Sequence, residues 1–184
     1  MLHTPVYNKR NEVIATSVTN LDVHDISRVA RTYGVSRFFL VHPQTSQQEL
    51  VHDMIRYWQQ GFGSTYNPDR KDALSVLEVV AGLDEARQRV VELEGQPPLT
   101  VVTDARVYPG SVSYQEVRAR IKRDEAPYLV LFGTGWGLTK DVVERADLIL
   151  HPIEPASDYN HLSVRSAVAI ILDRLAGESW WREP

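Results

Sequence analysis

Tyr128-Leu-Val-Leu-Phe-Gly-Thr-Gly-Trp-Gly137 joins a short apolar run to a turn with three glycines in five residues. The run has the composition and length of a strand buried on both faces. Gly133, Gly135 and Gly137 leave little side-chain cover over the backbone, which serves either a tight turn at positive φ or the close approach of a ligand. A second apolar run, Leu148-Ile-Leu150, ends in His151-Pro-Ile153. A polar loop then leads through Asn160-His-Leu-Ser163 into a helical pattern with Val164, Ala167, Val168, Ile171, Leu172 and Leu175 on one stripe. Ala169 and Ile170 widen that stripe, so the last helix is expected to be covered on two sides.

Outward from this stretch, four more strands are expected: Val13–Thr19, Arg37–His42, Leu74–Val80 and Leu99–Thr103. Helical patterns lie between them. One follows Asn20-Leu-Asp22 with Val23, Ile26, Val29, Ala30 and Tyr33 inward and stops at Gly34; the next spans Gln47 to Gln60. Others carry Leu83, Ala86, Val90 and Leu93, then Tyr114, Val117 and Ile121, then Val142, Val143 and Ala146. Ser64 to Asp72, polar with a proline, is expected to cross the surface as a loop. Strands alternating with helices predict an α/β fold with a mostly parallel six-stranded sheet and helices on both faces. Ligands of such sheets collect at the carboxyl ends of the strands, here His42-Pro43, Asp104-Ala-Arg106, Gly133–Gly137 and His151–Ile153.

The chain of 184 residues fits one domain, with 43% apolar and 24% charged residues in the globular range. No apolar run approaches a membrane span and Met1–Pro5 lacks the basic and apolar parts of a secretory signal, so cytoplasm is the expected compartment. The absence of cysteine excludes disulfides, thiolate catalysis and cysteine-ligated metals. A net charge of −4 leaves RNA binding undecided, with Arg118, Arg120, Lys122 and Arg123 as a local basic patch.

Several chemistries fail on spacing. The glycine turn lacks the third glycine of the dinucleotide fingerprint and the Lys-Ser or Lys-Thr of a phosphate loop. The six histidines, His3, His24, His42, His52, His151 and His161, form no metal-ligand spacing, and no metal is expected. No Gly-x-Ser-x-Gly elbow is present. Trp180-Trp181 fits a subunit interface or packing on the domain better than a stacking platform for bases.

Three segments taken together resemble the SPOUT superfamily of S-adenosylmethionine-dependent RNA methyltransferases, and within it a small family of single-domain bacterial proteins. Thr19 to Val35 is similar to the first motif of the tRNA ribose methyltransferases, where an arginine lies six residues before a glycine; Arg28 and Gly34 stand at those places. Leu129 to Leu138 looks like the glycine-bearing cofactor loop. His151-Pro-Ile153 followed by His161-Leu-Ser-Val-Arg-Ser-Ala-Val-Ala-Ile170 looks like the strand end and helix start that close the cofactor site. The likeness runs from about Thr16 to Leu175 and departs at two places: Gly135 stands where the ribose enzymes carry glutamate, and Ser163 where they carry asparagine.

The resemblance implies a deep trefoil knot within about residues 99–175, a homodimer paired through the knot region, S-adenosylmethionine as cofactor and a tRNA or rRNA nucleotide as methyl acceptor. It implies cofactor contacts from Thr103, Leu131, Phe132, Gly133, Thr134, Gly135, Trp136, Gly137, His151, Pro152, Ile153, His161, Leu162, Ser163 and Val164. Backbone groups of loops suit the donors and acceptors of adenine, and the apolar members supply walls. Arg28 is implied as the catalytic residue. Arginine is a poor base at its ordinary pKa, so its expected task is to orient a phosphate or ribose, against the plainer reading of a solvated helix residue. Asp22, His24 and Arg165 are weaker candidates that read equally as a cap or exposed helical side chains. The alternative function is a module that binds the cofactor or RNA without catalysis; an unrelated nucleotide-binding α/β protein would lack the knot.

Overall fold

The chain opens with a two-residue antiparallel hairpin, β1 (Val6–Tyr7) against β2 (Val13–Ile14), and enters α1 (Asn20–Thr32). There follow β3 (Phe38–Val41), α2 (Thr45–Gln59), α3 (Gly63–Tyr66), α4 (Pro68–Leu74), β4 (Leu77–Val80) and α5 (Leu83–Glu94). The second half runs β5 (Leu99–Val102), α6 (Tyr114–Arg123), β6 (Tyr128–Leu131), α7 (Lys140–Glu144), β7 (Leu148–Ile149) and α8 (Val164–Ala176). This computed structural model describes residues 1–178, and Trp180 and Trp181 lie outside the described residues.

Local chemistry accounts for the boundaries. Thr19 caps α1 by accepting from the Asp22 N–H at 3.2 Å, and Ser163 caps α8 by accepting from the Ser166 N–H at 3.3 Å. Gly34 (φ +68°) follows α1 and Gly95 (φ +74°) ends α5, both in the left-handed region. The expected loop at Ser64–Asp72 is instead largely helical. Asn67 accepts from the Arg70 N–H at 2.9 Å and Pro68 opens α4, so the proline starts a helix at the one place where its missing N–H is harmless.

The expected six-stranded sheet is not formed as one piece. β3 pairs with β4 and β5 pairs with both β6 and β7, all parallel, giving a two-stranded and a three-stranded sheet beside the β1–β2 hairpin. Val13–Thr19 supplies only the two residues of β2; beyond them the backbone of Thr16 and Val18 bonds to His3, His42 and Gln47 rather than to a strand. Between the parallel sheets lies Leu2, bridged to Val41 on one side and Gly133 on the other. The Leu2 N–H donates to Phe132 O at 2.7 Å, and the His3 N–H to Val41 O at 3.1 Å. An apolar cavity of about 480 Å³ lies beside this junction, lined by Phe38, Phe39, Leu129 and Val130 of the flanking strands and by Val168 and Leu172 of α8.

Helices cover both faces, as expected. Phe38, Leu40 and Val101 join the core under α1, α6 and α8, while Phe39, Val41 and Val102 join the core under α5 and α7. The wide apolar stripe of α8 is met within the chain by α1 on one side and α6 on the other. Arg118 leaves the expected basic patch. It is 8% exposed and donates to the carbonyls of Arg174 (3.1 Å) and Gly177 at the end of α8, where orphan carbonyls need donors. Among the described residues no helix is long and apolar enough to cross a membrane.

Candidate active site

A cleft of about 840 Å³ lies where β5 and β6 end and α8 begins, a volume in the range of a nucleoside-sized ligand. It is lined by Thr103–Arg106, Phe132–Gly137, Ile153 and Asn160–Arg165, and by His3, Thr16, Ser17, Thr19 and Asp22 from the start of the chain and of α1. Thr103, Phe132, Gly133, Thr134, Gly135, Trp136, Gly137, Ile153, His161, Leu162, Ser163 and Val164 are thereby brought together from three separate segments. Leu131, His151 and Pro152 do not line the cleft. Leu131 is buried in the core and its carbonyl takes the Thr103 N–H (3.1 Å) and hydroxyl (2.9 Å); Pro152 is buried, and the half-buried His151 turns toward the Pro152 carbonyl at 3.4 Å.

The glycines answer to protein neighbours first. A Cβ on Gly133 would stand 2.7 Å from the Leu138 side chain, and one on Gly135 (φ +59°) 2.8 Å from Tyr7 O. Tyr7 holds the turn from behind by accepting from the Trp136 N–H (2.8 Å) and donating its own N–H to Gly137 O (2.9 Å). A glutamate at position 135 has no room in this backbone. Trp136 is pushed outward and stands 57% exposed at the cleft.

Charge sits at two places on the rim. Asp104 takes both Nε (3.0 Å) and an amino group (2.6 Å) of Arg106, which also reaches Leu138 O at 3.4 Å and lies over the Tyr108 ring. This fork raises the pKa of Arg106 and holds the guanidinium against the turn. Asp22, 7% exposed, accepts from the Thr19 hydroxyl (2.6 Å) and from Arg165 (3.4 Å), and Arg165 also reaches Asp25 at 3.4 Å. Arg28 lies on the exposed side of α1 and is not in the cleft lining. His24 lies outside the lining as well, edge-on to Trp58, its pKa lowered by burial and by Arg70.

Sequence reading passed over His3, Thr16 and Ser17. His3 is 1% exposed, its Nδ1 is 2.9 Å from the Thr16 hydroxyl, and its Nε2 is buried without a hydrogen-bond partner among the described residues. Burial foremost, then the neighbouring His42, pushes its pKa down to about 4, so the ring is neutral at pH 7. His42 donates from Nε2 to Thr16 O (3.0 Å) and accepts at Nδ1 from the Gln44 N–H (3.1 Å). Among the described residues no group of three or more His, Cys, Asp or Glu is placed to hold a metal. A cleft with apolar walls, exposed backbone at the turn and one orphaned buried acceptor fits a nucleoside cofactor together with a second ligand.

Comparison with known proteins gives the family and the fold. Residues 1–177 match the family of SAM-dependent RNA methyltransferases. A protein of unassigned function from Aquifex aeolicus (strain VF5) is 41% identical over 175 residues, 95% of this chain and 85% of that one. A tRNA (guanine-N(1)-)-methyltransferase from Oleidesulfovibrio alaskensis is 42% identical over 179 residues, 97% of this chain but only 41% of the relative's length. Among solved structures, a probable methylase family protein from Haemophilus influenzae Rd KW20 superposes with a TM-score of 0.61 at 18% identity, over 88% of this chain and 62% of that one. The Aquifex aeolicus TrmH/SpoU tRNA modifying enzyme does so with a TM-score of 0.53 at 20% identity, over 87% and 70%. The chain belongs to the SAM-dependent RNA methyltransferase family, with the α/β fold of the SPOUT enzymes and S-adenosylmethionine as its cofactor.

Proposed function

We propose that the cleft is the methyl-transfer site, with the cofactor on the Phe132–Gly137, Ile153 and His161–Val164 wall and an acceptor nucleotide of tRNA or rRNA against His3, Thr19 and Asp22. The observation that carries this reading is the convergence of three distant segments on one cleft. Phe132, Ile153, Leu162 and Val164 supply apolar cover for an adenosine, and Thr103, Thr134 and the glycine backbone supply its polar contacts. Bound there, the cofactor presents an electrophilic methyl group on a sulfonium. The protein's task is then to hold the acceptor atom in line with that methyl and to accept its proton.

The chain crossings favour a knot. β5 sits between β6 and β7 although it precedes both, Val112 pairs with Leu150, and the Asn160 side chain reaches back to Ala105 O at 3.4 Å. A homodimer joined through this region follows from the same family likeness, and light scattering at twice the monomer mass is its test. Of the proposed residues, Arg28 fits a contact with RNA outside the cleft, or with a partner subunit's substrate, better than a proton transfer. The guanine-N1 specificity in the name of the Oleidesulfovibrio relative belongs to a protein of which this chain matches 41%. The acceptor atom is therefore taken from experiment: mass spectrometry of nucleosides from total tRNA and rRNA of gene-deleted and parent cells, in which one methylated nucleoside is expected to vanish. Calorimetry with S-adenosylmethionine tests the cleft itself; no binding at millimolar ligand sinks the reading.

A further inference from the structure

His3 ends a chain of hydrogen bonds that fixes which of its nitrogens is bare. Leu2 O can only accept, and it lies 3.2 Å from the Thr134 hydroxyl. The Thr134 proton spent there leaves its oxygen as acceptor for the Thr16 hydroxyl at 2.5 Å. Thr16 in turn accepts from His3 Nδ1 at 2.9 Å. Every contact is satisfied in this one direction, with Nδ1 protonated and Nε2 holding a lone pair. That lone pair is buried, has no partner among the described residues, and belongs to a residue that lines the cleft. A buried acceptor left open in an otherwise satisfied network marks a place where a ligand donates.

We propose that His3 Nε2 accepts the hydrogen bond of the nucleotide atom to be methylated, orients that atom toward the methyl group and receives its proton. The inference rests on the reading of the cleft as the methyl-transfer site. It favours an acceptor that carries its own hydrogen, an N–H or O–H, over a bare ring nitrogen. In the step, the lone pair of that atom forms the new bond to the methyl carbon while the carbon–sulfur bond breaks and leaves its electrons on sulfur. The N–H or O–H proton passes to Nε2 and then to solvent, so the positive charge leaves the sulfonium and ends on the released proton. The neutral ring is a weak base here, which suits a proton that departs as the bond forms and does not stay. Toward the acceptor nucleotide Thr16 and Thr134 are positioning residues in this scheme, since they act on it through the imidazole, while Thr134 also faces the cofactor.

Two variants separate the nitrogens. His3→Asn keeps an amide near the place of Nδ1, able to serve Thr16, and removes Nε2; His3→Gln puts an amide oxygen near the place of Nε2. Each is first checked for cooperative melting and for S-adenosylmethionine affinity by calorimetry, then for methyl transfer from labelled cofactor to total RNA of the gene-deleted strain. The expected result for His3→Asn is a turnover rate lower by about 100-fold or more with cofactor affinity within about twofold, and for His3→Gln a recovery of about tenfold over Asn. Nitrogen NMR of the wild-type ring, without RNA, is expected to show the proton on Nδ1. Turnover of His3→Asn at the wild-type rate, loss of cofactor affinity in place of turnover, or a proton found on Nε2 each overturns the proposal. Failure of the wild type to bind the cofactor is a different result, seen before any variant is made, and removes the reading of the cleft and this inference with it.

Discussion

Thr16 and Thr134 stand 118 positions apart in the chain, yet their hydroxyl oxygens lie 2.5 Å apart. The bond ties the loop that leads to α1 to the glycine turn after β6, and Leu2, wedged between the parallel sheets, takes both the N–H and the hydroxyl of Thr134 at 3.2 Å. These two parts of the cleft lining are thereby one hydrogen-bonded unit.

Valine keeps the shape of threonine and removes its hydroxyl, so Thr134→Val is expected to cost about 1–2 kcal/mol and Thr16→Val at least as much, because the latter also strips His3 Nδ1 of its partner. Urea denaturation measures both. The double variant is expected to lose little more than the larger single; a loss equal to the sum of the two would show that the residues do not act together.

Gly135 and Gly95 both lie in the left-handed region, at φ +59° and +74°, but an added Cβ meets Tyr7 O at 2.8 Å in the first and open space in the second. Alanine at either site carries the conformational cost of about 1–2 kcal/mol. Only Gly135→Ala adds a backbone clash, and its loss of stability is expected to exceed that of Gly95→Ala by at least ~1 kcal/mol. Equal losses would mean that Tyr7 does not confine the turn.

This pair also marks the limit of what the sequence discloses. Three glycines in five residues announced an unusual backbone, and apolar runs announced β3, β5 and β6, because both signals are local. That Gly135 is confined by Tyr7 is a contact across more than a hundred positions and has no local signature. The same holds for His3: a lone histidine near the chain start carries no period or spacing, and its importance comes from Thr16 and Thr134. Val13–Thr19 misled in the opposite way, since β-branched residues favour strands only where a partner strand exists. Pro68 did so too, being read as a breaker where Asn67 makes it a helix start. Arg118 passed for surface charge because it stands among Arg120, Lys122 and Arg123, off the stripe of Tyr114, Val117 and Ile121, and its carbonyl partners lie 56 and 59 positions away.

Protonation of His3 sets a pH dependence. Its folded-state pKa is lowered to about 4 from the usual 6.5, so the unfolded chain takes up this proton first as pH falls. Stability from this residue is full above about pH 6.5 and is lost as pH falls toward 4. The separation corresponds to on the order of 3 kcal/mol. Wild type and His3→Asn, compared by denaturant titration across that window, are expected to differ in slope, with the variant flatter; parallel curves would place the ring in a more solvated site.

Arg118 and Lys122, on the same helix, are expected to part company. Arg118→Met removes charged donors from the buried end of α8 and should cost about 2–4 kcal/mol. Lys122→Ala, at an exposed position, should change stability by less than about 0.5 kcal/mol. If RNA lies on this helix, Lys122→Ala lowers the salt slope of RNA binding by nearly one unit while leaving the fold intact.

Trp136 makes the sharpest demand on the cleft. The turn exposes 57% of the residue and points no other large aromatic side chain from Gly133–Gly137 into solvent, so its removal should hardly touch stability. Stacking of a base on an aromatic face is worth about 1–3 kcal/mol, so Trp136→Ala is expected to weaken one ligand by roughly 5- to 150-fold. Two titrations tell which. Loss of S-adenosylmethionine affinity in calorimetry places adenine on the indole, and loss of RNA affinity with cofactor binding intact places the acceptor base there. Of the four tryptophans only Trp136 lines the cleft among the described residues, so the change in fluorescence on cofactor addition should vanish in the variant if the first outcome holds. Unchanged affinity for both ligands would remove Trp136 from the site and leave the turn with a purely structural role.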